Sequence, residues 1–281
     1  MRALLESLLA ALSPTHARIP ALAVRAPCVR PSVPLARRQR PSARAALLLL
    51  ALAAAGRTRG DEPEERFTGT ARSADGALLY REDHVVRRSG GRLLDATTTY
   101  SDPAGRVIAV LRSDFSRDPF APSYEFRDLR SGAVESVDIL RDGVDLRSPS
   151  GARRIAAPEG PARLVTGQGL DRLVRDRLES LMRGEELEVA YAIPTRLDTY
   201  SFRVRALEDG AAQDRVRVRV EVSSWVLRLL APHLEVDYQR STKRLLRYRG
   251  VSNLADARGE YPEVEIVYAY PDDGGERHAA L

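Results

Sequence analysis

In the run YREDH, Tyr80, Glu82 and His84 stand two residues apart. In an extended strand that spacing puts all three side chains on one face. A carboxylate beside an imidazole orients the ring and favours its protonated form, which is how a general base is built. The triplet is therefore the candidate catalytic group. The same pattern also suits an outward polar face, or a buried pair that closes the mouth of a sheet. The chain has no G-x-S-x-G run, so no nucleophile elbow accompanies it.

Other chemistry-bearing residues carry less. The run TGQGLDRL places Gly167 and Gly169 before a helical stretch, but the third glycine of a dinucleotide loop is replaced by Arg172. Asp171 in the first turn repels phosphate, so helix capping is the expected use. Beyond the first 55 residues the histidines are His84, His233 and His278, in separate segments without H-E-x-x-H or a calcium-loop pattern. No metal and no cofactor is expected. Lys243, the sole lysine, falls in a hairpin turn and reads as a solvated amine. The run RVRVRVEV, residues 215–222, is a basic strand that interleaves valine, where a nucleic-acid strand interleaves aromatics. Glu186, Glu188, Glu235 and Asp237 on nearby strands supply its counter-charges through cross-strand pairs.

These side chains need a scaffold, and from Phe67 onward its dominant period is two. GALLYREDHVVRRSGGRLLDATTTYSDPAGRVIAVLRSDF reads as three strands turning at Gly90-Gly91 and Asp102–Gly105. SYEFRDLRSGAVESVDIL adds two around Ser131-Gly132. Residues 142–165 are punctuated by Pro and Gly and promise weak short strands at best. After residue 184 the strands resume in ELEVAYAIP, YSFRVRAL, RVRVRVEV, the hairpin LEVDYQRSTKRLLRYRG and EVEIVYAY. SSWVLRLLAPH reads as a short helix or turn carrying Trp225, capped by Ser224.

One segment breaks the period. LDRLVRDRLESLMRG sets Leu170, Leu173, Val174, Leu178 and Leu181 at helical spacing, with Gly169 opening the helix and Gly184 ending it. This stripe must cover one face of the sheet. It either fills the fold permanently or moves as a lid on flanking glycines, so its five residues are the candidate lining of a ligand cavity.

The stretch ARAALLLLALAAAG places eleven unbroken apolar residues at 45–55, behind Arg37, Arg38, Arg40 and Arg44. That is too short to span a bilayer, which takes about 20 residues. It fits the h-region of a secretory signal, with Ala53 and Ala55 as the small residues of the cleavage site. Residues 1–55 therefore read as a leader, 56–66 as a polar linker, 67–271 as a single β-rich domain and 272–281 as a polar tail. The expected destination is the periplasm or the exterior, after cleavage near Ala55. The leader holds eight arginines and one glutamate; removing them from 44 basic and 39 acidic residues leaves a net charge of −2. The computed isoelectric point near 9.6 thus belongs to the leader, and a nucleic-acid partner is not expected. Cys28 is the only cysteine and lies in the leader, so the domain folds without disulfides. The mature chain carries no transmembrane helix pattern.

The runs GALLYREDH, SDPAGRVIA, SDFSRDPFAPSYEFRDLRSG, GLDRLVRDRLESLMRGEELEVAYAIPTRLDTYSFRV and RLLRYRGVSNLAD together resemble an uncharacterised family of exported proteobacterial β-rich proteins. The likeness covers most of residues 67–268 and transfers no catalytic residue. More loosely, a curled antiparallel sheet with a helix inside resembles the periplasmic lipoprotein-carrier architecture of the LolA/LolB type. The fold expected is mostly β (α+β): a curled antiparallel sheet or incomplete barrel, with one long amphipathic helix on its concave face. The function expected is binding, of an apolar ligand such as a lipid or acyl chain, or of an envelope protein. The alternatives are a hydrolase centred on Glu82 and His84, and a purely structural envelope protein.

Overall fold

The computed structural model describes residues 64–160, 162–207, 214–224, 233–256 and 258–271. The leader, the Trp225 element and the tail at 272–281 lie outside the described residues. Fifteen strands are found among those described. The first half comprises β1 (Glu65–Arg72), β2 (Leu78–Ser89), β3 (Arg92–Ser101), β4 (Val107–Asp114), β5 (Ser123–Asp128), β6 (Val134–Ile139), β7 (Gly143–Ser148) and β8 (Gly151–Ala156). After β9 (Arg163–Val165) comes the helix α1 (Gly169–Met182). The second half comprises β10 (Leu187–Ile193), β11 (Asp198–Ala206), β12 (Arg215–Val222), β13 (Leu234–Gln239), β14 (Leu245–Val251) and β15 (Glu263–Ala269). β1 begins two residues inside the segment read as a linker.

All fifteen strands form one mixed sheet in the order 8-7-6-5-4-3-2-1-15-14-13-12-11-10-9. Each half is a meander of neighbouring antiparallel strands, and the halves join where β1 pairs with β15, Thr70 opposite Val267. The sheet is not closed by main-chain hydrogen bonds: β8 and β9 are its two edges. Side chains link the region of one edge to the other half. Arg153 on β8 donates to the Leu197 carbonyl and pairs with Asp198 at the start of β11, each at 3.3 Å.

Two departures from the sequence reading have physical causes. Residues 143–156 form a full hairpin, because Val144 and Leu146 on β7 are both completely buried and pin its register. Its partner β8 is mostly exposed at the sheet edge, which is why its sequence shows no alternation. The second departure is one parallel pair, β9 with β10. The fourteen-residue helix between them, about 21 Å long, carries the chain back so that β10 starts level with β9.

Valines 216, 218 and 220 of β12 enter the core, while its arginines meet carboxylates directly across the ladder. Arg217 donates to Asp237 at 3.0 Å and Arg219 to Glu235 at 2.6 Å, each opposite its partner in register. Arg203 on β11 takes Glu221 and Glu186. The basic strand is thus neutralised within the sheet. Leu170, Leu173, Val174, Leu178 and Leu181 are at most 4% exposed and join the same apolar cluster as the inner strand faces. Their burial contributes about 1.5–3 kcal/mol each. Gly184 follows the helix with φ +88°, the left-handed C′ position that glycine adopts most readily. No helix among the described residues is long and apolar enough to cross a membrane.

Candidate functional site

A cavity of about 200 Å³ lies between the two halves of the sheet and α1. Phe67, Leu111, Phe115, Tyr124, Phe126 and Ile266 supply much of its apolar wall. Glu82, His84 and Tyr268 supply a polar patch on the sheet side, and Gln168, Asp171, Arg172 and Arg175 line it from the helix. Those four stand at i, i+3, i+4 and i+7, so they share one stripe of the helix.

The strand period places Tyr80, Glu82 and His84 on one inward face of β2, as their spacing predicts. The structure then divides them. Glu82 and His84 line the cavity and touch each other, His84 Nε2 lying 2.9 Å from Glu82 Oε2. Tyr80 turns to the far half of the sheet, where its hydroxyl accepts from Ser252 Oγ at 3.1 Å. Burial raises the Tyr80 pKa, and the Glu82 charge raises it further.

A chain of hydrogen bonds leads into the pair. Ser113 Oγ donates to Gln168 Oε1 at 2.9 Å, and Gln168 Nε2 donates to Thr98 Oγ1 at 3.0 Å. Thr98 Oγ1 stands 2.9 Å from His84 Nδ1. A single direction satisfies every member: the Thr98 hydroxyl donates to Nδ1, and the Nε2 hydrogen goes to Glu82. Tyr268 also donates to Glu82 Oε2, at 3.2 Å. Burial raises the Tyr268 pKa, with the Glu82 charge adding to it. Phe67 stacks on the imidazole at 4.3 Å and 7°. Gly69 lies opposite Glu82 in the ladder, and a Cβ there would come within 3.0 Å of Glu82 Oε2.

As a catalytic triad this arrangement is incomplete. The hydroxyl that the imidazole reaches belongs to Thr98, which is fully buried and does not line the cavity. Its oxygen already accepts from Gln168. A nucleophile needs an open approach to its substrate, and Thr98 lacks one.

On the helix side, Tyr238 donates to Asp171 Oδ1 at 3.0 Å, and Arg175 Nε lies 2.9 Å from Asp171 Oδ2 in an ion pair too bent to be a hydrogen bond. Burial opposes the Arg175 charge, yet Asp171 outweighs it and raises the Arg175 pKa. The Tyr238 pKa is raised by burial first and by Asp171 second. Arg88, on the sheet side, donates to Glu65 at 3.0 Å.

The five aliphatic residues expected to line a ligand cavity do not line it. They are turned into the core, because the stripe they form is the apolar one, and the stripe beside it meets the cavity. The flanking glycines also differ from hinges at the helix start. A Cβ on Gly169 would sit 1.9 Å from the Phe120 carbonyl oxygen, and one on Gly167 would sit 2.9 Å from the Tyr124 ring. Thr166 Oγ1 donates to the Pro122 carbonyl at 2.5 Å. The helix start is packed down on residues 120–124. The i, i+3, i+4, i+7 polar stripe was legible as spacing; Thr98, in a run of three threonines, and Tyr268, in an apolar strand, carried no signal. Among the described residues no cluster of three or more His, Cys, Asp or Glu is placed to hold a metal ion.

No protein-family model and no curated protein sequence matches this chain. Among solved structures, it is similar to a β-barrel-like protein of the domain of unknown function DUF1849 from Brucella abortus. The TM-score is 0.40 at 7% identity, over 74% of this chain and 95% of that one. Both are β-rich, and no residue role passes between them.

Proposed function

We propose that this is an exported cell-envelope protein that holds an apolar ligand, a lipid or acyl chain, in the cavity between sheet and helix. The observation that carries this is the cavity itself. Its volume, about 200 Å³, exceeds the ~150 Å³ that admits benzene, and aromatic and aliphatic side chains from β1, β4, β5 and β15 wall much of it. A half-open, mostly apolar wall of this kind gains from being covered by an organic ligand. The helix, on this reading, lies in the concavity of the curled sheet and forms one wall. Contacts on both sides support that placement: Gln168 reaches β3 and β4, while Asp171 reaches β13. Packing of Gly169 on Phe120 favours a fixed wall over a lid.

Native mass spectrometry of the purified protein tests the binding reading. A co-purified lipid, displaced by added fatty acid, is the expected result. A protein that emerges empty, and takes up neither fatty acid nor fatty alcohol, would overturn it. Export rests on the signal pattern at 45–55. N-terminal sequencing of the exported form should begin close to Gly56, and a mature protein that keeps residues 30–55 would refute the cleavage.

A further inference from the structure

We infer that Arg172 is the anchor for an anionic head group, so that the ligand is an amphiphile: an acyl chain ending in a carboxylate or phosphate. This rests on the binding reading above and adds the chemistry of the ligand's polar end.

Arg88, Arg172 and Arg175 are the arginines that line the cavity. Arg88 is matched by Glu65 and Arg175 by Asp171. The third carboxylate of the lining, Glu82, is held by His84 and Tyr268. Arg172 has no carboxylate partner among the described residues, and its Nε is buried without a hydrogen bond. The neighbouring polar groups on the helix are committed elsewhere. Gln168 spends its amide on Thr98 and Ser113, and Asp176 faces out beside Arg177.

A buried guanidinium nitrogen without an acceptor is costly, and the cost is recovered when an acceptor arrives. Guanidinium presents its N–H groups in a planar fork that fits the paired oxygens of a carboxylate or phosphate. The wall beyond it is apolar, with Leu111, Phe115, Tyr124 and Phe126 on β4, β5 and the loop between them. A ligand with an anionic head and a hydrocarbon tail satisfies both parts of the lining at once. A neutral hydrocarbon satisfies one of them.

The test compares dodecanoate, dodecyl phosphate and dodecanol in displacing a fluorescent fatty acid from the purified full chain, with acetate and inorganic phosphate as heads without tails. The expected result is at least tenfold tighter binding of one or both anionic amphiphiles than of dodecanol, and no binding of the bare heads. Arg172→Met should remove that preference without lowering the melting temperature. Arg177→Met, an exposed change on the same helix, should alter neither. Equal binding of the anionic amphiphiles and dodecanol by the unaltered protein would overturn the head-group assignment while leaving apolar binding intact. So would bare phosphate or acetate binding as tightly as the amphiphiles, or a folded Arg172→Met that keeps the preference. Failure of every amphiphile to bind would instead overturn the binding reading itself. Because the head-group comparison runs on the unaltered protein, it decides the matter even if Arg172→Met does not fold.

Discussion

Tyr238, on the twelfth-to-fourteenth strand ribbon, donates its hydroxyl across the fold to Asp171 in the first turn of the helix, 3.0 Å away. The phenol is almost wholly buried and the carboxylate carries Arg175 on its other oxygen. One hydrogen bond therefore ties the helix to the second half of the sheet, and Gln168, one turn away, ties it to the first.

Tyr238→Phe keeps the ring and removes that tie. A hydrogen bond to a charged group contributes about 1.5–3 kcal/mol. Urea denaturation should show a loss of that order, with an unchanged dependence on urea concentration. A variant as stable as the unaltered protein would mean that this hydrogen bond adds nothing to the hold of the apolar stripe and of Gln168.

Gly169→Ala places a methyl group 1.9 Å from the Phe120 carbonyl oxygen, which is backbone and cannot swing aside. The loss should reach at least about 3 kcal/mol, the upper end of overpacking costs. Gly184→Ala meets nothing within 4 Å and is strained only through its φ of +88°, at about 1–2 kcal/mol. Similar denaturation midpoints for the two variants would contradict the packed helix start.

Glu82→Gln and His84→Ala test the polar pair. With structural roles, each should lower stability by about 1–3 kcal/mol, and the double variant should lose less than the sum, by a coupling of about 0.5–3 kcal/mol. Melting temperatures unchanged in both single variants, together with loss of a hydrolytic activity, would restore the hydrolase reading.

The tyrosines set a high-pH limit to stability. Burial pushes Tyr270 from 10.0 up to about 12, and burial also raises Tyr80, Tyr238, Tyr248 and Tyr268. Groups whose folded pKa is raised contribute stability that is complete below the unfolded value. That stability declines once pH passes 10 and is lost as pH rises through the folded values. The denaturation midpoint should be flat from pH 8 to 9.5 as far as these groups act, and then fall. Phenolate absorbance at 295 nm should rise in step with unfolding. A full phenolate titration near pH 10 in protein that remains folded would refute this.

Asp237 is 3% exposed as a side chain and receives hydrogen bonds from Arg217 and Arg247, with Arg215 at 3.5 Å. Replacing the buried carboxylate removes charged hydrogen bonds from part-exposed arginines, so Asp237→Asn should lose about 1.5–3 kcal/mol. A surface-like loss below about 0.5 kcal/mol, read by thermal unfolding, would show that solvent already screens the cluster.

The amino-acid sequence by itself determined what depends on local period. Alternating valines and arginines at 215–222 can satisfy a half-buried strand and little else, and the leucine stripe at 170–181 can satisfy a helix with one covered face. The inward face shared by Tyr80, Glu82 and His84 follows from the same two-residue repeat. What only the tertiary structure decided was which of those faces meet. Thr98 and Tyr268 come to the Glu82–His84 pair, and Gln168 to Thr98, from three separate elements, and no local pattern encodes that meeting. The leucine stripe was legible as apolar, yet its destination was not: it fills the core, and the polar stripe beside it lines the cavity. Periodicity states that a face must be buried, whereas the strand order and the close approach of Gly169 to Phe120 settle against what.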